Sequence, residues 1–186
     1  MSVKLVILGL LMEGEKHPYE IQQIVNERHM KHYIKLAAGS LYYAFEQLEK
    51  QGYVEVVDVV RDSNRPDKTI YRITEKGKQH FEQLLLEQLQ KHEHIHRSIY
   101  AGLSFAAYAD EEKVSAVLKQ RLHETKQQLE KLKLIFEQKR ENEYVTKLYV
   151  LKGVIMHLET EVEWLQQLIN IANNKKLKEK GGGLWQ

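Results

Sequence analysis

Ala38-Gly39-Ser40-Leu41-Tyr42-Tyr43-Ala44-Phe45-Glu46-Gln47-Leu48-Glu49-Lys50-Gln51-Gly52 is the stretch on which the reading of this chain turns. Leu41, Phe45 and Leu48 recur at i, i+4 and i+7, the spacing of one helical face. Gly52 stands where a left-handed C-cap is expected. The rest of the surface carries Ser40, Tyr42, Tyr43, Gln47 and Lys50, groups that can hydrogen-bond or make apolar contact with a polymer groove. Such a helix alone is more often scaffolding than a reader of bases, so its neighbours decide.

Residues 3–12 read as a short, mostly buried helix, with a buried strand as the competing reading. Residues 13–17 form a connection, and Pro18 suits the first turn of a new helix because its missing N–H would be unpaired there anyway. In that helix Tyr19, Ile21, Ile24 and Val25 supply the apolar side, while Glu20 favours the positive end of the dipole. Residues 28–35 are basic and contain no acid. Lys31 and Lys35 there are candidate phosphate contacts, with a plain solvated loop as the alternative.

After Gly52 the period changes from 3.6 towards 2. Residues 53–60 are rich in β-branched side chains and predict a strand. Residues 61–68 read as an eight-residue polar tip, and residues 69–73 as the returning strand with Thr69, Tyr71 and Ile73 on one side. Two strands around a charged tip describe a wing, with Arg61, Arg65, Lys68 and Arg72 as phosphate contacts or wing anchors. Arg65 is the best placed of them for a narrow minor groove. Thr74 is a suitable N-cap for the next helix, whose first turn Gly77 weakens. Two helices, a third, then a wing is the winged variant of helix-turn-helix, in which helix 38–51 would enter the major groove. Ser40, Tyr42, Tyr43 and Gln47 would face the DNA.

Composition restricts the alternatives. The chain has 186 residues, 42% hydrophobic and 29% charged, a globular balance that argues against disorder. It has no cysteine, which excludes disulfides, thiol nucleophiles and Cys-based zinc sites. Neither Gly-x-Ser-x-Gly nor a P-loop occurs, so an enzyme is not expected, and no cofactor is implied. His92, His94 and His96 alternate in a polar stretch without completing a metal motif, so no metal is expected. The apolar run near the start is too short to span a bilayer, and a soluble cytoplasmic protein without membrane association is the expectation. The formal charge is only +2, and residues 1–80 carry twelve basic and eleven acidic side chains. A phosphate-binding surface must therefore come from arrangement and not from bulk charge.

The second half is helical throughout. Residues 74–91 should bridge to it, with Phe81, Leu84, Leu85 and Leu89 on one side. Residues 95–108 read as a compact apolar helix needing burial on more than one side. Within it Tyr100, Phe105 and Tyr108 are candidates to line an effector cavity between the modules, or else core or dimer interface. Asp110 can cap a long helix over 111–140, with a turn near 140–143 and a second apolar stripe from Tyr144 to Ile169. Two such stripes need a partner, and a second copy in a two-fold dimer is the economical one. The expected organisation is mainly α with a small β wing. A winged helix-turn-helix domain over 1–88 precedes a helical dimerisation domain over 89–174 and a flexible tail over 175–186.

Tyr19 before Glu20-Ile21, then Gly39-Ser40-Leu41-Tyr42 with Leu48-Glu49 and Gly52, then Tyr71-Arg72-Ile73-Thr74-Glu75-Lys76-Gly77, resemble the PadR family of bacterial transcriptional regulators over residues 5–77. The region after residue 95 resembles the virulence-activator α domain of the larger members. Tyr43 stands where the family signature has proline. The resemblance implies a homodimeric repressor of double-stranded operator DNA, dimerised through its carboxy-terminal helices. It admits a small aromatic effector, a phenolic acid or a planar cationic drug, without choosing between them. The alternative is a helical protein-interaction scaffold without sequence-specific DNA binding, which leaves the wing without a purpose.

Overall fold

The structure, a computed structural model, describes residues 3–30, 34, 36–62, 65–92 and 94–181. The chain divides into two units, Met1–Glu93 and His94–Gln186.

In the first unit the helices α1 (Val3–Leu11), α2 (Pro18–Glu27) and α3 (Ala38–Lys50) precede strands β1 (Val54–Asp62) and β2 (Arg65–Ile73) and helix α4 (Glu75–Gln90). The helical reading of the first segment holds, and its apolar density is explained by burial of Ile7, Leu8, Leu10 and Leu11. These pack with Ile21 and Val25 of α2, Leu41, Ala44, Phe45 and Leu48 of α3, and Val54 and Ile73 of the strands in one core. Phe81 and Leu84 of α4 close that core from the side.

The end of α3 is a Schellman motif. Gly52 adopts φ +70°, its N–H reaches Glu49 O at 2.8 Å and the Tyr53 N–H reaches Leu48 O at 2.9 Å. Thr74 fastens this turn to α4: its hydroxyl donates to Gly52 O at 2.8 Å and accepts the Gly77 N–H at 3.0 Å. Gly77 is more than a weak helix former. A Cβ there would lie 2.0 Å from Tyr53 O, so only glycine lets α4 approach this turn.

The wing departs from its sequence reading. β1 and β2 pair antiparallel from Val54↔Ile73 to Asp62↔Arg65, with irregularities at Val56/Asp58 and Val60/Asp62. Arg61, Asp62 and residues 65–68 are thus strand residues and not part of a tip, while Ser63 and Asn64 lie outside the described residues. The polar composition of residues 61–68 hides the ladder from a hydrophobic pattern, since backbone pairing needs no apolar side chains. Lys16 adds a bridge to the other edge of β2, exchanging backbone hydrogen bonds with Tyr71 at 3.0 and 3.1 Å.

In the second unit α5 (Ser98–Ser104) and a 3-10 turn (Ala106–Tyr108) lead into α6 (Glu111–Lys139) and α7 (Val145–Asn173). Asp110 caps α6 by accepting the Glu112 and Lys113 N–H groups. The long helices form an antiparallel hairpin, with Leu132 and Ile155 in one buried cluster and Leu118, Leu165 and Ile169 in another. The expected buried helix over 95–108 is corrected. It is shorter, it breaks at Phe105, and among its residues only Ala106 is buried. Small residues and aromatics gave the segment its apolar character, but the hairpin covers one side of it alone.

Candidate nucleic-acid interface

α3 presents two chemically opposite sides. Leu41, Phe45 and Leu48 are at most 1% exposed, whereas Tyr42 and Tyr43 are 52% and 64% exposed. Core packing on one side fixes the rotation of the helix, so the tyrosines are held outward by the burial of their neighbours. Gln47 is half-buried beside them. Ser40 is exposed, but its hydroxyl donates to Ala37 O at 2.7 Å and so serves the first turn of the helix. Two charged residues absent from the expected site share the outer side: Lys50 Nζ lies 2.5 Å from Glu46 Oε1. Their i, i+4 spacing on the polar face was visible in the sequence.

Two of the cations assigned to the wing, Arg72 and Lys68, already have acidic neighbours. Arg72 donates from Nε and Nη2 to Glu55 Oε1 at 3.0 and 2.8 Å, and from Nη1 to Glu15 Oε1 at 3.4 Å. It anchors β2 to β1 and to the α1–α2 connection. Lys68 Nζ donates to Glu20 Oε1 at 3.0 Å. Lys31 and Lys35 lie outside the described residues, as do the side chains of Arg61 and Arg65. Arg28, from the same basic segment as Lys31, pairs with Glu13 through both terminal nitrogens at 2.7 and 2.6 Å.

Glu20 does more than favour the helix dipole. Its Oε2 accepts the His17 N–H at 2.7 Å while His17 Nδ1 accepts the Tyr19 N–H at 3.1 Å, a capping box built on histidine. Burial holds the His17 imidazole below its ordinary pKa; Lys68 adds to the shift and Glu20 opposes it. Hydrogen bonding from the His17 backbone, helped by Lys68, holds the Glu20 carboxyl low against a smaller desolvation effect.

In the second unit the three aromatic candidates separate. Tyr100 stands edge-on to Trp164, ring centroids 5.7 Å apart, in a cleft of about 480 Å³ lined also by Arg97, His157 and Glu161. Phe105 borders a different, apolar groove of about 350 Å³ with Leu103, Val114 and Val117. Tyr108 is 89% exposed. Glu161 is buried on α7, where it accepts Arg121 Nε and Nη2 at 3.1 and 2.7 Å and also a bond from Arg97. Burial pushes its carboxyl up, but the two guanidinium groups outweigh burial and leave it below the ordinary range. Among the described residues no group of three or more His, Asp or Glu could hold a metal, and no helix is long and apolar enough to cross a membrane.

An amphipathic third helix set by two others and followed by a two-stranded wing defines a winged helix-turn-helix protein. Two family models match separate parts of the chain. Residues 7–83 match the model of the transcriptional regulator PadR-like family, and residues 102–173 match that of the virulence activator alpha C-terminal region. The chain has the PadR-family transcriptional regulator fold, with a carboxy-terminal region that resembles the virulence-activator α region.

Solved structures agree. PadR from Bacillus subtilis in complex with operator DNA is similar over 91% of this chain and 98% of its own, with 20% identity and a TM-score of 0.76. The same protein with p-coumaric acid gives 92%, 98%, 19% and 0.74. The Vibrio cholerae virulence activator AphA gives 94%, 99%, 17% and 0.75. No curated protein sequence matches the chain significantly.

Proposed function

We propose that the protein is a homodimeric, cytoplasmic DNA-binding repressor that occupies promoter DNA and is released by an effector. The observation that carries the reading is the outward placement of Tyr42 and Tyr43 on a helix whose opposite side is sealed into the core. With α3 of each protomer in a major groove, the two reading heads sit about 34–36 Å apart on one side of the duplex. Ser40, Tyr42, Tyr43 and Gln47 face the bases, and Lys31, Lys35, Arg61 and Arg65 reach the phosphates. Lys68 and Arg72 brace the wing. Repression is steric, in competition with polymerase.

The helical domain over 89–174 supplies the dimer. Val117 of α6 and Tyr149 of α7 remain exposed on their own protomer, and a second copy would cover such groups. A small aromatic effector is supported by the similar Bacillus subtilis PadR solved with p-coumaric acid and by the Tyr100–Trp164 cleft. Its binding would shift the spacing of the reading heads. Selection of genomic DNA by the purified protein, followed by footprinting, tests the reading. A two-fold symmetric protected site is expected, and failure to enrich any duplex would overturn it.

A further inference from the structure

An acid on the surface offered to a polyanion requires an explanation. At roughly 100° per residue, Tyr43, Glu46 and Lys50 lie within about 60° of one another, on the side of α3 opposite Leu41, Phe45 and Leu48. The side chains of Glu46 and Lys50 are 57% and 63% exposed, and they pair with each other. In a groove walled by phosphates, an unpaired carboxylate is repelled. It is tolerated where a base offers it an amino group, or where an adjacent cation neutralises it. This helix provides the cation.

We infer that Glu46 and Lys50 act together as a base-reading pair that selects C·G in the major groove, Glu46 accepting from cytosine N4 and Lys50 donating to guanine. The inference rests on the proposed placement of α3 in that groove. The ion pair presents an acceptor beside a donor, and the edge of a C·G pair presents a donor, cytosine N4–H2, beside an acceptor, guanine O6. A·T offers the same order through adenine N6 and thymine O4, but it is the poorer match on both sides. Adenine N7 is an acceptor that repels the carboxylate, and thymine carries a methyl group where guanine offers N7 to the lysine. An exposed i, i+4 ion pair is weak, so exchanging it for base contacts costs little.

The test is selection of operator half-sites from randomised duplexes by full-length wild type, Glu46→Gln and Lys50→Ala, with affinities then measured on the selected sites. Wild type should fix C·G at one position of each half-site. Glu46→Gln should move that position towards A·T, since a glutamine amide pairs with adenine N6 and N7. The C-to-A preference should change roughly 5–150-fold, the usual effect of one base pair. Lys50→Ala should lower the preference for C·G at the same position.

Unchanged preferences at every position in Glu46→Gln would overturn the inference, even with tighter binding to all duplexes, because Glu46 would then act by bulk repulsion alone. If wild type enriches no duplex at all, the proposed function fails and this pairing fails with it. Circular dichroism melts of the three proteins should coincide, because both side chains are exposed, so that lost selectivity is not lost folding.

Discussion

Lys68 Nζ on the second strand of the wing lies 3.0 Å from Glu20 Oε1 at the start of α2. The other oxygen of that carboxylate holds the His17 N–H at 2.7 Å, so one side chain closes the capping box and ties the wing to α2. Both ends of the box titrate. His17 accepts a hydrogen bond through Nδ1, which requires the neutral ring, and its pKa is lowered by burial and then by Lys68.

A histidine with a lowered folded pKa stabilises fully above its unfolded value of about 6.5, and the contribution is lost as pH falls below that value. Glu20, also lowered, contributes fully above about pH 4.3 and fails only as pH falls through its folded pKa. Melting temperature should therefore decline between pH 7.5 and 5.5. His17→Asn, which keeps a capping acceptor without titrating there, should flatten that decline. Equal slopes in the two proteins would remove His17 from the acid response.

Leu48 and Tyr43 separate packing from recognition on one helix. Leu48→Ala opens a cavity in a small core and should cost roughly 2–5 kcal/mol. Tyr43→Ala removes an exposed ring and should change stability by no more than about 0.5 kcal/mol, while altering operator affinity. Urea unfolding read beside DNA titration distinguishes them. Equal destabilisation by the two substitutions would mean that Tyr43 is packed.

Gly77→Ala should destabilise the first unit by at least about 1–3 kcal/mol, the range for overpacking. Its Cβ would meet Tyr53 O at 2.0 Å, and backbone cannot move aside as a side chain can. Calorimetry checks it. A neutral or stabilising result, the usual outcome for glycine in an open helix, would show that α4 can slide away from the turn.

Gly77 also marks a limit of the sequence. The face of α3 was legible because helical period and burial coincide at Leu41, Phe45 and Leu48. The close approach at Gly77 was not, because it depends on a carbonyl brought near by the Schellman turn at Gly52. Residues 61–68 read as a tip because polarity signals a turn, yet backbone pairing of β1 with β2 extends through Asp62 and Arg65 whatever the side chains are. Tyr100 and Phe105 shared one apolar segment in sequence, yet they line different clefts because the helix breaks between Ser104 and Ala106. The partners of Lys68 and Arg72 are acids 48 and 17 residues away in the chain, respectively, which no local pattern announces.

Glu161 should hold the second unit together electrostatically. Its side chain is 7% exposed and bound by Arg97 and Arg121, whose side chains are 37% and 39% exposed. Glu161→Gln removes the charge and should cost roughly 1–3 kcal/mol at pH 7, less than a sealed pair because both arginines reach water. Its folded pKa lies below the ordinary value, so this stability is present above about pH 4.3 and disappears as pH falls through the folded pKa. The gap between wild-type and variant melts should accordingly close in acid. A gap that persists unchanged at low pH would assign the loss to packing.

On the proposed reading, the wing contrasts cations that brace with cations that bind. Arg72 is neutralised by Glu55 and Glu15, whereas Arg65 opens β2 opposite Asp62, at the distal end of the ladder. Counterion release scales with the phosphates actually contacted, each contributing about 0.9 to the slope of log K against log salt. In a dimer Arg65→Ala should shrink that slope by about 1–2 units and weaken specific and random duplexes by similar factors. Arg72→Ala should leave the slope nearly unchanged and lower the melting temperature instead, since it removes a strap between the strands. An Arg65 inserted in a narrow minor groove would behave differently again, losing affinity chiefly on A·T-rich operators. Titrations of wild type and both variants at four salt concentrations, on operator and scrambled duplex, distinguish these outcomes. Equal loss of slope in Arg72→Ala would mean that DNA draws this guanidinium away from Glu55, and that the wing rearranges on binding.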